Sequence, residues 1–138
     1  MELLLLHRGR EAALAEFASS RGMRILDYSG RMCRMFPSLA MPAIDVGDLD
    51  SALSKLVDAL AAGQGVCVYS LSAIWALAYA QLGIRGSVPA LTSFALRASE
   101  ASRAFGSPLC FVAEEWFQRR GRYVYNIFRY AAGRVISP

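Results

Sequence analysis

Histidine and lysine are the scarcest of the reactive residues in this 138-residue chain, which contains one of each, His7 and Lys55. Its three cysteines, Cys33, Cys67 and Cys110, are an odd number at wide spacings, and no Cys-x-x-Cys pair occurs. A transition-metal site and a disulfide framework are therefore not expected, and no motif implies a cofactor. Unpaired thiols are typical of a reducing compartment, so we expect a cytoplasmic protein.

Charged residues are also scarce, at 19% of the chain, whereas apolar residues make up 55%. This composition excludes a disordered chain, and the length fits one domain over residues 1–138. The net charge of +4 is mild, and the basic residues concentrate in two separate segments, 8–34 and 119–134. Because these segments do not form one continuous basic face, a nucleic-acid partner is not expected. The apolar richness fits a protein partner or a homodimer.

An uncharged stretch from residue 59 to residue 84 is long enough to cross a bilayer. Gly63-Gln64-Gly65 interrupts it, and polar side chains further along lower its mean hydropathy to about the usual threshold. The stretch therefore predicts a buried central helix rather than a membrane span.

Hydrophobic patterns predict an α+β fold in which this buried central helix packs on an antiparallel sheet. The clearest helix begins after Asp48 or Asp50, where apolar residues follow a 3.6 period, and Gly63 ends it. The segment from Cys67 to Leu82 is apolar on nearly every face, as a buried helix is. A C-terminal β-hairpin is predicted from strands 109–118 and 122–130. The other predicted elements are strands at 2–7, 23–28 and 31–36, a connector at 37–42, and helices at 10–20 and 89–105.

Cys67 follows Gln64-Gly65-Val66 at the predicted head of the central helix, where the helix dipole favours a thiolate. The segment Gly-Val-Cys-Val-Tyr-Ser-Leu-Ser-Ala-Ile-Trp at 65–75, with Gln-Leu-Gly-Ile at 81–84, resembles the nucleophile helix of papain-like and transglutaminase-like cysteine peptidases. The closest resemblance is to the leader peptidases of lasso-peptide biosynthesis, with a lesser one to cysteine-protease effectors of pathogenic bacteria.

Residues 111–126 carry the second half of this resemblance. The leader peptidases have a segment of the form Phe-x-Ala-His-Ala-Trp-Val-Glu-x-x-Gly-Arg-x-Val-x-Asp, and this chain follows that frame without a gap. Glu114 occupies the position of the histidine and Asn126 that of the aspartate. The resemblance therefore implies a triad of which only Cys67 remains, and residues 88–106 form an insert that the family lacks.

The leading functional hypothesis is a catalytically degenerate, cysteine-peptidase-like protein that binds a peptide or protein partner in the bacterial cytoplasm. The ligand would lie between the Gln64–Cys67 turn and the strand that carries Glu114 and Trp116, with Asn126 nearby. The resemblance to papain-like enzymes implies a hydrogen-bonding role for Gln64.

Two alternatives stay open. A small immunity protein could block a toxin by surface complementarity and would need no catalytic residue. An active thiol hydrolase would instead pair Cys67 with His7, since some papain relatives are circularly permuted and present the histidine before the cysteine. Whether the protein is an enzyme is left open by the sequence.

Overall fold

The structure is a computed structural model that describes all residues from 1 to 138. Strands and helices alternate along most of the chain. The strands are β1 (Glu2–Leu6), β2 (Arg24–Asp27), β3 (Ala40–Pro42), β4 (Val66–Tyr69), β5 (Leu109–Glu114) and β6 (Arg134–Ile136). The helices are α1 (Glu11–Ser20), α2 (Arg31–Met35), α3 (Leu49–Ala61), α4 (Leu71–Phe105), α5 (Glu115–Arg120) and α6 (Arg122–Ala131).

The six strands form one sheet in the order β3-β2-β4-β5-β1-β6, and every neighbouring pair is parallel. The fold class is therefore α/β, and the predicted antiparallel sheet is wrong. The central strands are apolar on both faces: all four residues of β4 are buried. Such continuous apolar strands are typical of parallel sheets that helices cover on both sides.

Helices cover the two faces of this sheet unequally. Helices α3, α4 and α6 pack on one face in a core of 24 buried residues, whereas α1 and α2 cover the other face in a core of 12. The connections from β1 to β2 and from β2 to β3 run towards the β3 edge and pass over the α1/α2 face. The connections that follow β3, β4 and β5 run towards the β6 edge and pass over the opposite face. Right-handed crossovers in opposite directions must pass over opposite faces, so the sheet is doubly wound.

Several predicted elements are confirmed. Strand β1, helix α1 and strand β2 lie where the pattern placed them, within one residue at each end. The start of α3 is capped by Asp48, whose carboxylate accepts a hydrogen bond of 2.7 Å from the backbone N–H of Ser51. Gly83, with a φ of 70°, interrupts α4 directly after Leu82, where the predicted central helix ends. None of the helices combines the length and the apolar composition that a bilayer span requires.

Other predicted elements are wrong. Residues 31–36, predicted as a strand, contain helix α2. The predicted helix 89–105 is present and ends at Phe105, but its predicted start is wrong, because α4 continues from Gly83 with Pro89 inside it. The C-terminal hairpin does not exist, because β5 ends at Glu114 and two helices follow it. In α6 the buried residues Val124, Tyr125 and Phe128 have helical spacing. The predicted connector 37–42 contains edge strand β3, and no sequence pattern predicts edge strand β6.

Candidate functional site

A cleft of about 770 Å³ opens where β1, β4 and β5 end, at the carboxyl edge of the sheet. Polar and charged side chains dominate its walls. Its lining consists of Leu6, His7, Arg8, Gly9, Glu11, Arg31, Tyr69, Glu114, Glu115, Trp116, Arg119 and Arg120. A volume of this size lies in the usual range for small-molecule sites.

The position of the cleft follows from the topology. Strands β1 and β5 are neighbours, but the chain leaves β1 towards α1 on one face and leaves β5 towards α5 and α6 on the other. Two adjacent connections that diverge in this way leave a crevice beyond the strand ends. Open α/β sheets bind their ligands in such crevices.

Glu114 is the most tightly positioned acidic side chain of the cleft. Its Oε1 accepts hydrogen bonds from the hydroxyls of Ser70 (2.7 Å) and Ser72 (2.5 Å), and its Oε2 accepts one of 3.0 Å from the indole of Trp116. Ser70 and Ser72 stand at the amino end of α4, where the helix dipole favours a negative charge. The carboxylate is therefore fixed in orientation, with accepting capacity left on Oε2 for a ligand.

Tyr69 and the Arg31–Glu11 ion pair form the part of the cleft wall on the α1/α2 side. Arg31 Nη2 lies 2.8 Å from Glu11 Oε1, so this arginine is already paired. Burial, together with the negative charge of Glu114, raises the pKa of Tyr69 to about 12. Its phenol is therefore a neutral hydrogen-bonding group at physiological pH.

The remaining arginines of the cleft stand apart from any acidic partner. Arg8 follows β1, and Arg119 and Arg120 end α5; none of the three forms a salt bridge. No sequence motif identifies these three arginines as site residues. The signal that could have located them is the alternation of apolar strands and helices, which brings the residues after each strand to one edge.

The structure brings together three of the predicted site residues, His7, Glu114 and Trp116. Gln64 lies at the opposite edge of the sheet, just before β4 begins, and Asn126 lies on α6; neither lines the cleft. The predicted groove between Gln64 and Glu114 therefore does not form.

Cys67 occupies the middle of β4 rather than the head of a helix. It has no solvent exposure and is paired in register with Cys110, which is equally buried. A hydrogen bond with the Cys67 thiol, together with burial, raises the pKa of Cys110. A substrate has no open route to the Cys67 sulfur in this position, and His7 stands beyond the end of another strand. The two thiols serve as small apolar core residues.

No protein-family model and no curated protein matches the chain. The resemblance to cysteine peptidases therefore stays a prediction, as do the immunity protein and the thiol hydrolase. Nowhere in the chain do three or more metal-binding side chains converge.

Proposed function

We propose that the protein binds a small phosphorylated, hydroxyl-bearing ligand of the nucleotide class in the carboxyl-edge cleft. The observation that carries this proposal is the position of the cleft, which lies where the connections after β1 and β5 diverge to opposite faces of the sheet. This is the position at which doubly wound sheets take up nucleotides, with the phosphates near the loops that follow the strands.

The unpaired arginines support a phosphate group as one part of the ligand. Arg119 and Arg120 are exposed and adjacent, and Arg8 reaches the same cleft from the loop after β1. Guanidinium groups bind phosphate through paired charge-assisted hydrogen bonds, which are about twice as strong as neutral ones. Because no protein carboxylate pairs with these arginines, a phosphate would not have to displace one.

Glu114 and Trp116 support the hydroxyl-bearing and aromatic parts. A carboxylate at a strand end of a doubly wound sheet commonly accepts hydrogen bonds from ribose hydroxyls. Glu114 is pre-oriented for this by its two serine partners. The Trp116 side chain is 51% exposed beside it and offers a flat surface on which a base can stack.

Thermal unfolding in the presence of AMP, ATP, NAD⁺ and ribose 5-phosphate tests this proposal, with calorimetry on any compound that raises the Tm. A ligand at one hundred times its Kd stabilises the fold by about 2.7 kcal/mol. We expect Arg119→Ala/Arg120→Ala to weaken binding at least tenfold, since each charge-assisted hydrogen bond contributes about 1.5–3 kcal/mol. Arg129→Ala, an exposed arginine on α6 outside the cleft, is the matched control. If all four compounds leave the Tm unchanged, the proposal fails.

A peptide ligand is the second candidate, because the cleft carries both signs of charge and contains Glu114 and Trp116 from the predicted peptide site. The two candidates depend on different side chains. A basic peptide would lose affinity in Glu114→Gln and retain it in the double arginine variant, whereas a phosphorylated ligand would show the larger loss in the arginine variant. A tetralysine peptide in the same thermal assay supplies this comparison.

A further inference from the structure

Three side chains meet where neighbouring strands β5, β1 and β6 end. Glu115 follows β5, His7 follows β1, and Ser137 follows β6. We propose that Ser137, His7 and Glu115 form a nucleophile, base and orienting acid that hydrolyse carboxylic esters at the mouth of the cleft. In the chain, Ser137 lies 130 positions and Glu115 lies 108 positions after His7, so only the parallel pairing of three strands brings the three side chains together.

The three side chains are arranged as a hydrolase site requires, with the imidazole between the hydroxyl and the carboxylate. His7 Nε2 lies 2.9 Å from Ser137 Oγ, and His7 Nδ1 lies 3.4 Å from Glu115 Oε2. A carboxylate on the Nδ1 side favours the tautomer with its proton on Nδ1. Nε2 is then free to accept the hydroxyl proton of Ser137, as the base of a serine hydrolase does.

Solvent can reach Ser137, His7 and Glu115, which distinguishes them from a hydrogen-bond network inside the core. The His7 and Glu115 side chains are 47% and 39% exposed, both line the cleft, and Ser137 is exposed beside them. An ester could therefore place its carbonyl on Ser137 while its polar part enters the cleft. Cys67, in contrast, is sealed in the core.

The reaction balances with water as the only co-reactant. Ser137 Oγ attacks the ester carbonyl carbon and passes its proton to His7 Nε2; the C–O bond to the alcohol then breaks, and His7 returns the proton to the departing alcohol. Water, deprotonated by His7, next attacks the acyl-serine, so that the acid is released and the Ser137 hydroxyl is restored. Glu115 is a positioning residue, because it acts through His7 and does not touch the ester.

Covalent labelling with a fluorophosphonate probe, followed by mass spectrometry of the labelled peptide, tests the proposal directly. We expect the phosphonyl group on Ser137 in the wild-type protein. His7→Ala should slow labelling about 10²-fold, because a positioned base contributes at least that much. Ser54→Ala, which removes an exposed serine of α3, should leave labelling unchanged. Both His7 and Ser54 are exposed, so circular dichroism should show folded variants.

Hydrolysis of p-nitrophenyl acetate adds a second readout. Ser137→Ala should abolish the burst of acyl-enzyme formation, and Glu115→Gln should slow the burst and shift its pH profile, which a purely structural role would not do. A wild-type protein that is unlabelled at Ser137, or labelled equally fast in His7→Ala, overturns the proposal. Because these probes do not require a bound nucleotide, this failure is distinguishable from a failure of the proposed ligand.

Discussion

Individual side chains near the carboxyl edge of the sheet divide into those that hold the backbone and those that face the cleft. Asp27 belongs to the first kind. It is fully buried, and its carboxylate accepts hydrogen bonds from the Ser29 and Gly30 amides, from the Ser29 hydroxyl and from the Cys33 amide. All four hydrogen bonds come from the turn that leads into α2 and from the first turn of that helix. Asp27 therefore stabilises the β2–α2 turn and is not available to a ligand.

Tyr69 belongs to the second kind, and its raised pKa predicts a loss of stability at high pH. Below pH 10 the phenol is neutral in both the folded and the unfolded chain. Between pH 10 and about 12 the unfolded chain ionises first, so the free energy of unfolding falls over this range. Urea unfolding of the wild type and of Tyr69→Phe measures this, and the variant should lose less stability there.

Tyr130→Phe is the matched control for that experiment, since it removes the same hydroxyl from a side chain that is 81% exposed. An identical pH slope for the wild type and Tyr69→Phe would contradict the prediction.

The segment from β5 through α5 to α6 explains most of the difference between the predicted and the observed elements. Aromatic residues are frequent between residues 111 and 130, and their high β-propensity favours the predicted hairpin. Yet Gly121 separates two short helices, and α6 buries Val124, Tyr125 and Phe128 against the sheet while Arg122 faces solvent. The helical spacing of the buried residues is the stronger signal, because burial decides the element where propensity is ambiguous.

Gly121 itself is predicted to tolerate no side chain at this junction. A Cβ atom there would lie 2.3 Å from the ring of Phe117, which is buried. We expect Gly121→Ala to lower the free energy of unfolding by about 1–3 kcal/mol, the usual cost of overpacking a core. Chemical denaturation measures the loss.

Gly47→Ala is the control, because a Cβ at Gly47 would meet nothing within 4 Å. A Gly121→Ala variant as stable as this control would show that Phe117 moves aside without cost.

How far the fold could be predicted depends on how local each signal is. Asp48 and the apolar stripe of α3 lie within one helix, so the sequence alone was sufficient to predict it. The apolar run around Cys67 fits a strand and a helix equally well, and only its partners β2 and β5 decide for a strand. Pairing between strands that are distant in the chain leaves no periodic pattern in the sequence from which it could be predicted. The same holds for Ser137, which no motif connects to His7.

The molecule as a whole is organised around its first strand. Strand β1 lies between β5 and β6, so the amino-terminal residues sit inside the sheet rather than at its edge. Leu3 and Leu4 are both fully buried, Leu3 in the larger core and Leu4 in the smaller one. Strand β1 therefore packs against both layers of helices. It can pair with β5 only after residues 109–114 have been synthesised.

Leu4→Ala should destabilise the entire protein rather than its amino-terminal region alone. The lost contacts and the cavity left in the α1/α2 face together cost about 2–5 kcal/mol. Leu96→Ala, at a leucine of α4 that is 54% exposed, is the control and should change stability by less than about 0.5 kcal/mol. Urea midpoints measure both, and a cost below about 1 kcal/mol for Leu4→Ala would argue against a central β1.

The parallel pairing of β1 with β6 also determines how this protein can be immobilised. The Met1 carbonyl accepts a hydrogen bond of 2.8 Å from the Gly133 amide at the amino edge of the sheet, whereas Ser137 lies beside His7 at the other edge. An affinity tag or surface linker joined before residue 1 would leave on the side away from the cleft. The same linker joined after residue 138 would emerge next to its mouth and hinder access to it.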